Sequence, residues 1–173
     1  AMLKAAGIFL IITAGAGIGF SQSFALSGRM KALKILQRLV ILLKGEIQYG
    51  NTSLHDALAA ASRKMPGEYG EFLKETAERM CIYKGQSFGD IFYECAREKL
   101  GHIKLSREER EALYSLGYHL GYLDLGMQIR QLDLYEDEVR HAIEELQAKL
   151  PEMKKVCQSL GIMGGILLAV LVW

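Results

Sequence analysis

All 20 acidic residues of this chain fall between Glu46 and Glu152, and 20 of its 21 basic residues fall between Arg29 and Lys155. Two uncharged ends therefore bracket a charged middle. From Ala5 to Gly28 no side chain ionises, and the run AAGIFLIITAGAGIGF is apolar apart from Thr13. Val156 to Trp173 is likewise uncharged and closes on GIMGGILLAVLVW. A helix rises about 1.5 Å per residue, so about 20 such residues cross a hydrocarbon core roughly 30 Å thick. The pattern predicts transmembrane helices over 3–26 and 156–173, with 28–155 as the domain between them. The second run is near the minimum length and leaves little room for tilt. Trp173 would suit the far interface, where an amphipathic indole is favoured.

The flanking charges give an orientation. Arg29, Lys31, Lys34, Arg38 and Lys44 follow the first run, and Lys149, Lys154 and Lys155 precede the second. Basic residues beside a span are retained on the cytoplasmic side, which places the middle there and both tips outside. Two other readings compete. A cleaved signal peptide would use Lys4 and the small-x-small triplet Ser23-Phe24-Ala25, but the apolar run is long for that role and the basic belt opposes translocation. Two buried helices of a soluble protein would need more chain than this to surround them. Ala1 before Met2 reads as a cloning remnant. Gly15 and Gly19 in the first run, and Gly161 and Gly165 in the second, are four apart, a spacing that lets helix backbones approach closely.

The middle reads as helical throughout. Leu33, Leu36, Val40, Leu43 and Ile47 step by three and four, one stripe of a helix over 28–49, and Ile35, Leu39 and Leu42 form a second stripe. Gly50 and Asn51 end it. Ser53-x-x-Asp56 starts a helix reaching Lys64, and Pro66-Gly67 forms a turn. Tyr69, Phe72, Leu73, Ala77 and Met80 share the next helical face, which Gly85 stops. Ser87-x-x-Asp90 opens another helix, closed by Gly101, and Ser106-x-x-Glu109 caps one running to Leu120. Asp124 starts a last helix carrying Leu132, Tyr135, Val139, Ile143, Leu146 and Leu150, with Pro151 marking a kink or restart. The expected fold is therefore all-α, a bundle of about six helices flanked by the terminal spans, in which the first and last middle helices run antiparallel.

Little here suggests chemistry. The middle balances 20 basic against 20 acidic residues and lacks the basic field that nucleic-acid binding needs. Cys81, Cys95 and Cys157 have neither metal-ligand spacing nor the even count of a disulfide framework. Glu138-x-x-His141 has the spacing of di-iron bundles but no second copy, so a metalloenzyme is the lesser reading. Gly15-Ala16-Gly17-Ile18-Gly19 lacks the order and the preceding strand of a nucleotide loop. No cofactor and no enzymatic activity are expected.

Two stretches carry a resemblance. Glu46-Ile47-Gln48-Tyr49-Gly50-Asn51-Thr52-Ser53-Leu54-His55-Asp56-Ala57 and Leu120-Gly121-Tyr122-Leu123-Asp124, followed by Gln128 and set between apolar ends, closely resemble the stage III sporulation protein AB family. Ser53 stands where the family tends to have proline, and both residues suit a helix start. The resemblance implies a non-enzymatic membrane component of the secretion-like sporulation channel between mother cell and forespore. Its middle domain would resemble the inner-membrane platform protein of type II secretion and type IV pilus systems, coupling a cytoplasmic ATPase, the stage III sporulation AA protein, to the channel. Membrane lipid and the other channel components are the further implied partners, and a homo-oligomer is compatible. The candidate contact residues are Tyr49, Asn51, Thr52 and His55 in the first turn, and Asp133, Glu136, Asp137 and Glu138 in the acidic stretch that continues to Glu145.

Overall fold

The computed structural model describes residues 2–82, 84–121 and 124–172, excepting the side chains at 15, 16, 18–24, 153, 154 and 157. Among the described residues there are six helices and no strand: α1 (Met2–Gly50), α2 (Leu54–Lys64), α3 (Gly67–Ile82), α4 (Phe88–Leu100), α5 (Arg107–Leu120) and α6 (Leu125–Val172). The all-α expectation holds. α1 and α6 each join a terminal apolar run to a middle helix without a break. Pro151 lies inside α6 and the helix does not restart there. A proline removes one backbone donor, and the turns on either side carry the helix across the gap.

The local signals act where the sequence puts them. Ser53, Ser87 and Ser106 are extended residues whose hydroxyls accept from the backbone N–H groups of Asp56, Asp90 and Glu109. Ser106 and Glu109 complete a reciprocal capping box, with the Ser106 N–H donating to Glu109 Oε2 at 2.9 Å. Asp124 Oδ1 accepts from the Met127 N–H at 2.8 Å and starts α6.

The chain forms two compact units, 31–143 and 1–30 with 144–173. In the first, consecutive helices α2, α3, α4 and α5 pack on one another. The α1 stripe of Leu33, Leu36, Val40, Leu43 and Ile47 is buried, as are Leu132, Tyr135, Val139 and Ile143 of α6. Of the second α1 stripe only Leu39 is fully buried, and Ile35 and Leu42 stay half-buried. Phe72 meets the Phe92 ring edge-on at 5.1 Å between centroids, with Phe88 5.8 Å from Phe92. The α4–α5 crossing is close because glycine faces an aromatic ring from each side: Gly89 lies under Tyr118 and Gly117 under Phe92. Arg79 ties α3 to α4, reaching Glu98 at 2.7 Å, Glu75 at 2.9 Å and Glu94 at 3.8 Å. These carboxylates hold the guanidinium charged, and because they are partly solvated they fix orientation more than they stabilise.

In the second unit Gly164 lies against Ile12, since a Cβ placed there would meet Ile12 Cδ1 at 3.6 Å. Around this contact most large apolar side chains are exposed, including Phe9, Leu10, Ile11, Leu160, Ile162, Met163, Leu167 and Val170. Among the described residues no helix is long and apolar enough to cross a membrane. Both expected spans contain residues outside that description, 15, 16 and 18–24 in the first, and 157 and 173 in the second.

Candidate interaction surfaces

The α1–α2 turn is built by three short-range devices. Asn51 takes the left-handed conformation at φ 46°, a region a short polar residue tolerates. Thr52 Oγ1 then donates back to the Glu46 carbonyl at 3.2 Å, and Ser53 caps α2. The next link is longer: His55 sits with Nδ1 3.2 Å from Asp56 Oδ1 and Nε2 3.1 Å from Cys81 Sγ at the end of α3. The His55 and Ser53 hydrogen bonds hold the Asp56 carboxyl below its usual range. Tyr49 and Asn51 are exposed, while Thr52 and His55 are half-buried. The turn therefore presents Tyr49 and Asn51 outward, whereas Thr52 and His55 are engaged in holding it. Below it, α2 and α3 enclose an open hollow of about 670 Å³ lined by His55, Arg63, Glu71, Lys74 and Glu78 among others.

The acidic stretch divides by helix face. Asp133 pairs with Lys44 of α1, which raises the lysine pKa above its ordinary value, and Glu136 lies in the field of the same lysine. Asp137 accepts from Arg140 one turn on, at 2.7 Å. Glu138 alone of the four faces a groove between α5 and α6, formed of two adjoining hollows of about 160 and 420 Å³. Its floor is Leu33, Ala112, Leu116, Tyr135 and Val139, and its rim carries Glu108, Glu109, Glu111 and Glu138. Tyr135 is buried at the base, and burial beside Glu138 and Glu109 keeps its phenol protonated well above the ordinary tyrosine range.

Gly161 and Gly165 face open space, with nothing within 4 Å of where a Cβ would be. Gly15 and Gly19 lie outside the described side chains. Among the described residues no group of three or more His, Cys, Asp or Glu could hold a metal, so Glu138 and His141 are not joined by further ligands there. Cys95 is buried, which pushes its thiol pKa up, and Cys81 is exposed beside His55. Sequence reasoning missed the His55–Cys81 link, the His102–Glu68 pair and the α5–α6 groove. Each joins residues far apart in the chain, and no spacing rule connects them.

A model of the stage III sporulation protein AB family matches residues 4–173. Stage III sporulation protein AB of Bacillus subtilis (strain 168) is 24% identical over 171 residues, which is 98% of this chain and 99% of that protein. A solved structure of a stage III sporulation protein AB is similar at TM-score 0.62 and 18% identity, covering 72% of this chain and 97% of that one. At that identity the structural likeness speaks for the fold.

Proposed function

The chain belongs to the stage III sporulation protein AB family, and from that premise we propose that it is a non-enzymatic membrane platform of the sporulation channel, coupling a cytoplasmic ATPase to it. The single observation that carries the membrane part is the exposure of large apolar side chains on both terminal arms, from Met2 and Leu3 at 90% to Val156 at 57%. At about 25 cal/mol per Å² of apolar surface, leaving such arms in water is unfavourable by several kcal/mol, and lipid removes that cost. The basic residues that flank both arms favour the cytoplasm for unit 31–143.

The proposed membrane is that of the mother cell, the outer of the two around the forespore. The ATPase partner is proposed to be the stage III sporulation AA protein. Its contact surfaces are the Tyr49–Asn51 turn and the acidic stretch of α6. In support, Tyr49 is 86% exposed, which leaves its ring open to a partner. Charge reversal at Glu136, Asp137 and Glu138 in the full chain, solubilised in mild detergent, should weaken capture of the purified ATPase. Undiminished capture would remove the acidic stretch as the docking surface.

A further inference from the structure

We propose that copies of this chain associate head to tail, the basic face of α1 in one copy seating on the α5–α6 groove of the next. The inference does not depend on the membrane or ATPase reading. Unit 31–143 carries an imbalance of charge between two of its faces. Lys31, Lys34 and Arg38 are all exposed and have no ion pair among the described residues. They fall, with the exposed Ile41, at steps of three, four and three, so they share one face of α1. That face lies opposite the buried stripe of Leu36, Val40, Leu43 and Ile47 and is not used by the chain's own core.

The groove has the complementary character. Its floor is apolar and its rim carries four carboxylates, of which Glu108 and Glu138 have no ion-pair partner among the described residues, while Glu111 is shared with Arg107 at 3.0 Å. Three cations and one isoleucine on a helix match such a surface, the isoleucine toward the floor and the cations toward the rim. Leu33 of α1 lines the same groove, so both patches lie at one level of α1. On a helix of about 3.6 residues per turn, Lys34 and Arg38 are roughly 100–140° round from Leu33. The two patches are therefore different faces. A rotation about an axis parallel to α1 brings one copy's cations to the next copy's carboxylates, the geometry of a heterologous contact that closes into a ring or continues as an array.

The test is charge exchange on the full chain in mild detergent, with self-association read by sedimentation and folding by circular dichroism. Wild type should self-associate, and the association constant should fall about tenfold or more in high salt because exposed charges are screened. The triple variants Lys31→Glu, Lys34→Glu, Arg38→Glu and Glu108→Lys, Glu111→Lys, Glu138→Lys should each lose association. Mixing those two folded variants should restore it, because one then carries two acidic patches and the other two basic ones. Wild-type association that survives both reversals, or variants that stay apart when mixed, would overturn the proposal.

Discussion

Replacing Gly117 by alanine separates packing from helix propensity by the sign of its effect. Gly117 is buried inside α5, where alanine is intrinsically the better helix former by about 1 kcal/mol. Propensity alone predicts stabilisation. A Cβ at that position, however, would lie 2.4 Å from Phe92 Cδ1, 2.5 Å from Cγ and 2.7 Å from Cβ. The ring has nowhere to swing, since Phe72 meets it edge-on at 5.1 Å and Phe88 sits at 5.8 Å. Overpacking a filled core costs about 1–3 kcal/mol, so after the propensity gain the balance is a net loss of up to about 2 kcal/mol. For a unit of this size 1 kcal/mol is worth roughly 4 °C, and the full chain in detergent should melt lower by up to about 8 °C by circular dichroism. Gly45→Ala is the matched control. Gly45 also lies inside a helix but has nothing within 4 Å of a new Cβ, so that variant should hold or gain stability. If Gly117→Ala raised the midpoint as much as Gly45→Ala, the close α4–α5 crossing would be wrong.

Phe72→Ala removes a fully buried ring from the aromatic cluster and should cost about 3–5 kcal/mol, measured by the same melt. Ser106→Ala removes the capping hydroxyl of α5 and should cost about 1 kcal/mol, with little change from Ser106→Thr. Burial pushes the Tyr69 phenol from 10.0 up to about 12, and burial raises that of Tyr135 as well. The folded state thus keeps protons that the unfolded state gives up. The stability these groups confer is complete below pH 10 and is lost as pH rises, through about 12 for Tyr69 and higher for Tyr135. An absorbance titration of tyrosinate should show the Tyr69 and Tyr135 phenols ionising late, together with the loss of helix.

Much of the fold was legible because it is written in short-range chemistry. Ser53, Ser87, Ser106 and Asp124 announce helix starts through hydroxyl or carboxylate groups three residues from their targets, and each caps as expected. The α1 stripe was visible because 3.6-residue periodicity is a property of one helix. Of the two outcomes Pro151 suggests, a kink or a restart, the restart does not occur, since its own preference says nothing of the turns that carry α6 through it. The surfaces were less legible. Asp133, Asp137 and Glu138 look alike in sequence, yet one pairs with Lys44, one with Arg140, and one rims a groove. Which face a residue occupies follows from how helices meet. Glycine spacing singled out Gly161 and Gly165, whereas the glycine lying against Ile12 is Gly164.

Trypsin protection in sealed membrane vesicles tests the central claim, a cytoplasmic domain held by two membrane arms, most directly. Apart from Lys4, every lysine and arginine lies between Arg29 and Lys155, so the protease reads almost solely the middle of the chain. In vesicles with the cytoplasmic face outward the middle should be cut away, leaving both apolar ends in the membrane pellet, and in vesicles of the opposite orientation it should survive. A middle cut only from the non-cytoplasmic side, or a chain that washes off the vesicles whole, would contradict the account.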